Sequence, residues 1–162
     1  GELGHQTVDP HGLPCGCGNH GCLETIASGP AITAQAARVV LQGHPSCLGD
    51  LVDHDLNRLS PAIVGEAADR GDEAALAILE RAGAGIGVAV ANLIEVLNPE
   101  CVVIGGGVAL AGDALFDAVR AVVRERARTV SMDKVRIVPA TLGTDAGMIG
   151  AAVWSRVYRE RS

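Results

Sequence analysis

The chain has 162 residues, 48% of them apolar, which is about one domain with enough material for its own core. A net charge of −6 without any basic run argues against an intrinsic nucleic-acid or membrane-surface role, and 2% aromatic content leaves no base-stacking platform. No apolar stretch reads as long or unbroken enough to cross a bilayer, and no secretory signal is visible, although the first residue is not Met.

In chain order, residues 2–8 alternate loosely and predict a short strand, followed by a Gly/Pro-rich loop over 9–21. Leu23 to Ala27 predicts a short helix. Gly29-Pro30 restarts one, with Ile32, Ala36, Val39 and Val40 as its apolar face up to Gly43. Residues 44–59 carry no decisive pattern. Ser60-Pro61 reads as an N-cap followed by proline, opening a helix to about Arg70.

The clearest pattern starts near Asp72. Leu79, Gly83, Ile86, Val90, Leu93 and Leu97 recur at alternating steps of four and three, the period of an amphipathic helix, and Asn98-Pro99 stops it. Gly83, Gly85 and Gly87 each cost roughly 1 kcal/mol relative to Ala inside a helix, so bare backbone must serve close packing there, or else the helix breaks.

Val102 to Ile104 predicts a buried strand and Gly105-Gly106-Gly107 the turn after it. Asp113 to about Arg126 is a second long helix, whose arginines at 120, 124, 126 and 128 share the stretch with Asp117 and Glu125 as an ordinary solvated face. Val135 to Val138 is another strand. Asp145 to Arg159 is a closing helix, capped by Thr144 or Asp145. This order is α/β grammar, with two parallel strands joined by a crossover helix.

The chemistry concentrates near the start. His5, Cys15, Cys17 and Cys22 form H-x9-C-x-C-x4-C, a full set of soft ligands for one tetrahedral zinc. Such a site has no open position, so it would hold the loop 9–21 in one shape rather than activate water. His11 and His20 are alternatives to His5 as fourth ligand. Unligated thiols and a redox C-x-C are the other readings. The odd total of five cysteines favours a metal in a reducing cytoplasm over disulfides; Cys101 reads as a buried small hydrophobe and Cys47 as inert. Glu2 and Glu24 bracket the cluster and could meet a polar ligand. The run V-V-I-G-G-G-V lets backbone approach a nucleotide, but a plain tight turn explains its glycines equally well.

Three stretches together resemble the ROK family of bacterial sugar kinases and sugar-responsive repressors: E-L-G-H at 2–5, C-G-C-G-N-H-G-C-L-E at 15–24 and A-S-G-P-A-I at 27–32. N-P-E-C-V-V-I-G-G-G-V (98–108) and L-G-T-D-A-G-M-I-G-A-A (142–152) fit the same family in the same order. The resemblance implies an actin-like ATPase (ribonuclease H-like) C-terminal domain with a zinc-binding loop. It implies a zinc and sugar-binding loop over residues 1–28 and a helical and α/β nucleotide-side region over 29–162. Zinc would sit on His5, Cys15, Cys17 and Cys22. Glu2, His5 and Glu24 would bind sugar hydroxyls, and Gly105, Gly106 and Gly107 would line the adenosine pocket.

The family's D-x-G-G-T phosphate loop, N-D general base and G-T-G-x-G-G-G loop do not occur in this sequence. The expectation is therefore the C-terminal half of an ATP- and magnesium-dependent hexose kinase of glucokinase type, inactive without its N-terminal half. Its implied partners are a hexose, that other half and a second copy of itself, in the cytoplasm, with no membrane and no nucleic acid touched by this portion. The alternative is the sugar-sensing domain of a ROK repressor. A stand-alone zinc-stabilised interaction module is a third reading.

Overall fold

A computed structural model describes residues 1–130 and 135–159. In chain order its helices are α1 (Glu24–Ala27), α2 (Gly29–Leu41), α3 (Leu48–Leu51), α4 (Pro61–Asp69) and α5 (Glu73–Leu97). Strand β1 (Cys101–Ile104), helix α6 (Asp113–Arg126), strand β2 (Arg136–Pro139) and helix α7 (Ala146–Arg159) follow. Short 3-10 turns occupy Leu3–His5, Leu56–Arg58, Gly107–Ala111 and Gly143–Asp145.

The helix starts follow local chemistry. Ser28 and Ser60 accept from the N–H groups of Ala31 and Ile63 at 3.2 and 3.3 Å, each just ahead of a proline-bearing first turn. Asp72 caps α5 by accepting from Ala75 N–H at 2.9 Å. Its second carboxylate oxygen accepts from the Ser46 hydroxyl at 2.8 Å and Cys47 N–H at 2.6 Å. One side chain thus starts the longest helix and anchors the segment 44–59, which forms α3 and a 3-10 turn. At the other end Asn98 sits at φ +47° and sends its N–H to Ile94 O at 2.9 Å, a left-handed cap.

Helix α5 runs unbroken through its glycines, and they explain how the core is built. A Cβ on Gly83 would lie 2.5 Å from Ala118 Cβ and 2.9 Å from Leu115 O; one on Gly87 would lie 2.6 Å from Val122 Cβ. The two glycines, one turn apart, let α6 lie directly against the α5 backbone. Gly85 faces the opposite way, toward Leu23 and Ile26. Leu79, Val90, Ile94, Leu115, Val119 and Val123 are all fully buried, and Ile32 and Val64 extend the core under α2 and α4.

Strands β1 and β2 pair in parallel, Cys101 with Arg136 through Ile104 with Pro139, with α6 as the crossover. Arg120 stacks on Phe116 at 5.5 Å and donates to Ile137 O at 3.3 Å, so this arginine ties α6 to β2 as well as pairing with Asp117. On the other side of the sheet Val103 is 60% exposed, and on α7 Met148, Val153 and Trp154 are all more than half exposed.

Several expectations fail. Residues 2–8 do not form a strand: Leu3–His5 is a 3-10 turn, and Thr7 makes only a single antiparallel bridge to Cys22. Among the described residues the alternation has no second strand to pair with. Leu97 is 66% exposed because α5 outruns the elements packed on it. Cys101 is half-buried rather than enclosed. Helix α5 does reach the length and hydropathy of a membrane span (mean hydropathy 1.6), yet 61% of that window is buried, as a core helix demands. Helix α7 starts at Ala146, since Asp145 closes the preceding 3-10 turn with its N–H on Leu142 O; the Thr144 side chain lies outside the described residues.

Candidate metal centre

The loop that carries the cluster has almost no apolar core and is shaped by its own backbone bonds. Val8 and Asp9 N–H both reach Gly21 O, at 2.9 and 3.2 Å, and Gly21 N–H reaches Leu13 O at 2.8 Å. Gly21 is irreplaceable here: at φ +63°, a Cβ would fall 1.5 Å from Asp9 O. Cys15 N–H donates to Asn19 O at 2.7 Å and Gly18 N–H to Cys15 O at 2.9 Å, closing a tight turn around Cys17. Thr7 and Asn19 clasp the base of the loop through a 2.9 Å side-chain bond.

These bonds bring His5, Cys15, Cys17 and Cys22 together, with one donor atom from each lying within 4.8 Å of all the others. His5 Nδ1 to Cys15 Sγ and Cys17 Sγ to Cys22 Sγ are both 3.6 Å. A tetrahedral ion with metal–sulfur bonds of about 2.3 Å and metal–nitrogen bonds of about 2.0–2.1 Å sets neighbouring donors about 3.6–3.8 Å apart. The observed separations match that geometry and are far longer than the roughly 2.05 Å of a disulfide. The residues fit one soft divalent ion. His11 and His20 are outside the cluster; His11 N–H instead caps the Asp9 carboxylate at 3.0 Å.

The thiols differ in their surroundings. The Asn19 N–H beside its sulfur holds Cys17 below the usual thiol range. Cys22 is fully buried, and that desolvation, with the neighbouring sulfurs at Cys17 and Cys15, pushes it up to about 12. Cys22 in that setting resists becoming a thiolate unless a cation joins it, and a bound cation inverts the preference. Asn19 was not singled out from the sequence, where an Asn between glycines signals only a turn.

The acidic residues flank the cluster. Glu24 opens α1, and its Oε2 lies 3.2 Å from His5 Nδ1. Glu2 precedes the 3-10 turn that ends on His5. Glu2, His5 and Glu24 line one cleft of about 320 Å³, floored by Leu23, Ala27 and Ile86. That volume is at the small end of ligand sites, which run ~300–1,000 Å³. Gly105, Gly106 and Gly107 are elsewhere, after β1. Gly106 is at φ +75°, and open space faces both Gly106 and Gly107 where a Cβ would project.

A ROK family sequence model matches residues 1–157. The chain belongs to the ROK family. A glucokinase from Halalkalibacterium halodurans is 41% identical over the whole chain, which spans 49% of that relative's length. The DNA-binding transcriptional repressor Mlc of Escherichia coli is 32% identical over 94% of the chain and 36% of its own length. The crystal structure of a ROK glucokinase from Streptomyces griseus, in complex with glucose and AMPPNP, aligns with 94% of the chain and 50% of that structure. Its TM-score is 0.81 at 30% identity, so the chain has the fold of the matching half of that glucokinase. The chain spans about half the length of the glucokinase it matches.

Proposed function

We propose that this chain is the sugar-gripping half of an ATP-dependent hexose kinase of glucokinase type, its binding loop stiffened by a structural zinc. The observation that carries this reading is the meeting of Glu2, His5 and Glu24 in one cleft beside the four metal donors. Carboxylates suit a sugar because each accepts from two neighbouring hydroxyls in charge-assisted bonds. His5, Cys15, Cys17 and Cys22 would hold the ion, which supplies no reactive position once four protein ligands surround it. Fixing one nitrogen of His5 also fixes its tautomer, leaving the other nitrogen to donate to a hydroxyl.

Gly105, Gly106 and Gly107 would let the adenosine approach the backbone. The phosphate loops and the base for the sugar hydroxyl belong to sequence not present in this chain, so the 162 residues alone are expected to transfer no phosphoryl group. The bare face of β1 and the exposed apolar side of α7 are where we place the remaining half of the protein. Five free cysteines fit a reducing cytoplasm.

Calorimetry of the full-length protein against glucose, mannose and their N-acetyl derivatives, followed by a coupled phosphorylation assay, tests the reading. Saturable sugar binding with ATP-dependent turnover supports it. Sugar binding without turnover would favour the repressor reading, which the 32% identity to Mlc keeps in play. No sugar binding at all would overturn both.

A further inference from the structure

A second cleft, of about 400 Å³, lies between the loop residues 9–13, α2 and α5. None of Glu2, His5 or Glu24 lines it. Its polar walls are Arg38 from α2, Arg81 from α5, His11 and Asp9 from the loop, and Gln35 and Thr25.

Two arginines, Arg38 and Arg81, share this one cleft. Arg58, Arg70 and Arg120 each pair with a nearby carboxylate, on Asp53, Glu66 and Asp117. Among the described residues no carboxylate lies within ion-pair distance of Arg38 or Arg81. Nor does either helix supply one. The neighbours three and four positions from Arg38 are Ala34, Gln35, Leu41 and Gln42, and those from Arg81 are Ala77, Ile78, Ala84 and Gly85. Arg38 is the sole charged residue of α2. In a chain with a net charge of −6, two exposed guanidinium groups without a carboxylate partner line the same cleft, where an anion would offset their mutual repulsion. Asp9 is the one carboxylate on the wall, and its Oδ1 is already engaged by the His11 N–H at 3.0 Å.

We propose that this cleft is an anion site for a phosphoryl group, held by Arg38 and Arg81 from its two helical walls. The planar forks of two arginines match the oxygens of a phosphate. Occupancy also ties the loop between ligands His5 and Cys15 to α2 and α5. The inference does not depend on the sugar reading, because the sugar candidates line a different cleft.

The test uses the full-length protein and inorganic phosphate, with potassium chloride at matched ionic strength as control. Phosphate should bind saturably by calorimetry and raise Tm beyond the chloride control. Arg38→Gln and Arg81→Gln should each weaken that binding about tenfold or more, the range of a lost charge-assisted bond. Glutamine keeps helix propensity, so both variants should melt no lower than the parent when phosphate is absent. A hexose phosphate distinguishes the source. Binding that survives Glu24→Gln, disappears in Arg38→Gln and is tighter than that of inorganic phosphate marks a phosphate monoester as ligand. Equal affinity for both marks the free ion. Phosphate acting no better than chloride, or binding unchanged in both arginine variants, overturns the proposal.

Discussion

The Nδ1 atom of His5 lies 3.2 Å from Oε2 of Glu24 and 3.6 Å from Sγ of Cys15, so one imidazole touches both the donor cluster and the acidic wall. The two parts of the site are joined through this ring. Replacing Glu24 by Gln removes the charge but keeps the shape. It is expected to weaken sugar binding by about 10- to 100-fold, the equivalent of ~1.5–3 kcal/mol for charge-assisted bonds, while metal content stays unchanged. Calorimetry alongside metal analysis of the same preparation separates the two effects.

Asp72 holds Ala75, Ser46 and Cys47 with one carboxylate. Burial works against its charge, but the Ala75 and Cys47 N–H groups and the Ser46 hydroxyl prevail and keep its carboxyl below the ordinary 3.8. Asp72→Ala should cost about 2–4 kcal/mol near neutral pH, from a lost cap and a half-buried N–H left unpaired. The sign with pH follows: a lowered folded value gives stability that is complete above about 3.8 and disappears as pH falls through the folded value. Urea unfolding across the acid limb should show that loss in the parent and a shallower one in the variant.

Gly83 and Gly85 are two positions apart on α5 and should respond oppositely to alanine. At Gly83 the new methyl meets Ala118 Cβ at 2.5 Å and Leu115 O at 2.9 Å, so α6 must move, at about 1–3 kcal/mol net of the helix-propensity gain. At Gly85 the nearest atom is Leu23 Cδ1 at 3.3 Å, the end of a side chain that can give way. Gly85→Ala should be neutral or stabilise by up to about 1 kcal/mol. Thermal or denaturant melts of the two variants decide this.

Trp154 is the chain's single tryptophan and is 68% exposed on α7. If the remaining half of the protein packs there, emission from the 162-residue chain will be that of a solvated indole and will shift to the blue in the full-length protein. Equal spectra would place that half elsewhere.

Much of this could be read from residues whose effect is local. Ser28, Ser60 and Asp72 announce helix starts by their own side-chain chemistry, and the glycine spacing in α5 gives the close helix pair before its partner is known. The short spacing of the three cysteines likewise brings them within reach of one ion. What escapes is set by partners distant in sequence. The 3-10 turn at Leu3–His5 looks like a strand until no pairing strand is found. Leu97 keeps the helical period past the point where anything covers it. Arg38 and Arg81 come to one cleft only through the packing of α2 on α5.

The most direct measurement is the metal content of freshly purified protein, parent and Cys22→Ser, paired with a melt before and after chelation. One zinc per chain in the parent, little in the variant, and a Tm that falls on chelation are the predicted results. Metal-free parent protein whose melt ignores the chelator would contradict the clustering of His5, Cys15, Cys17 and Cys22 around a single ion.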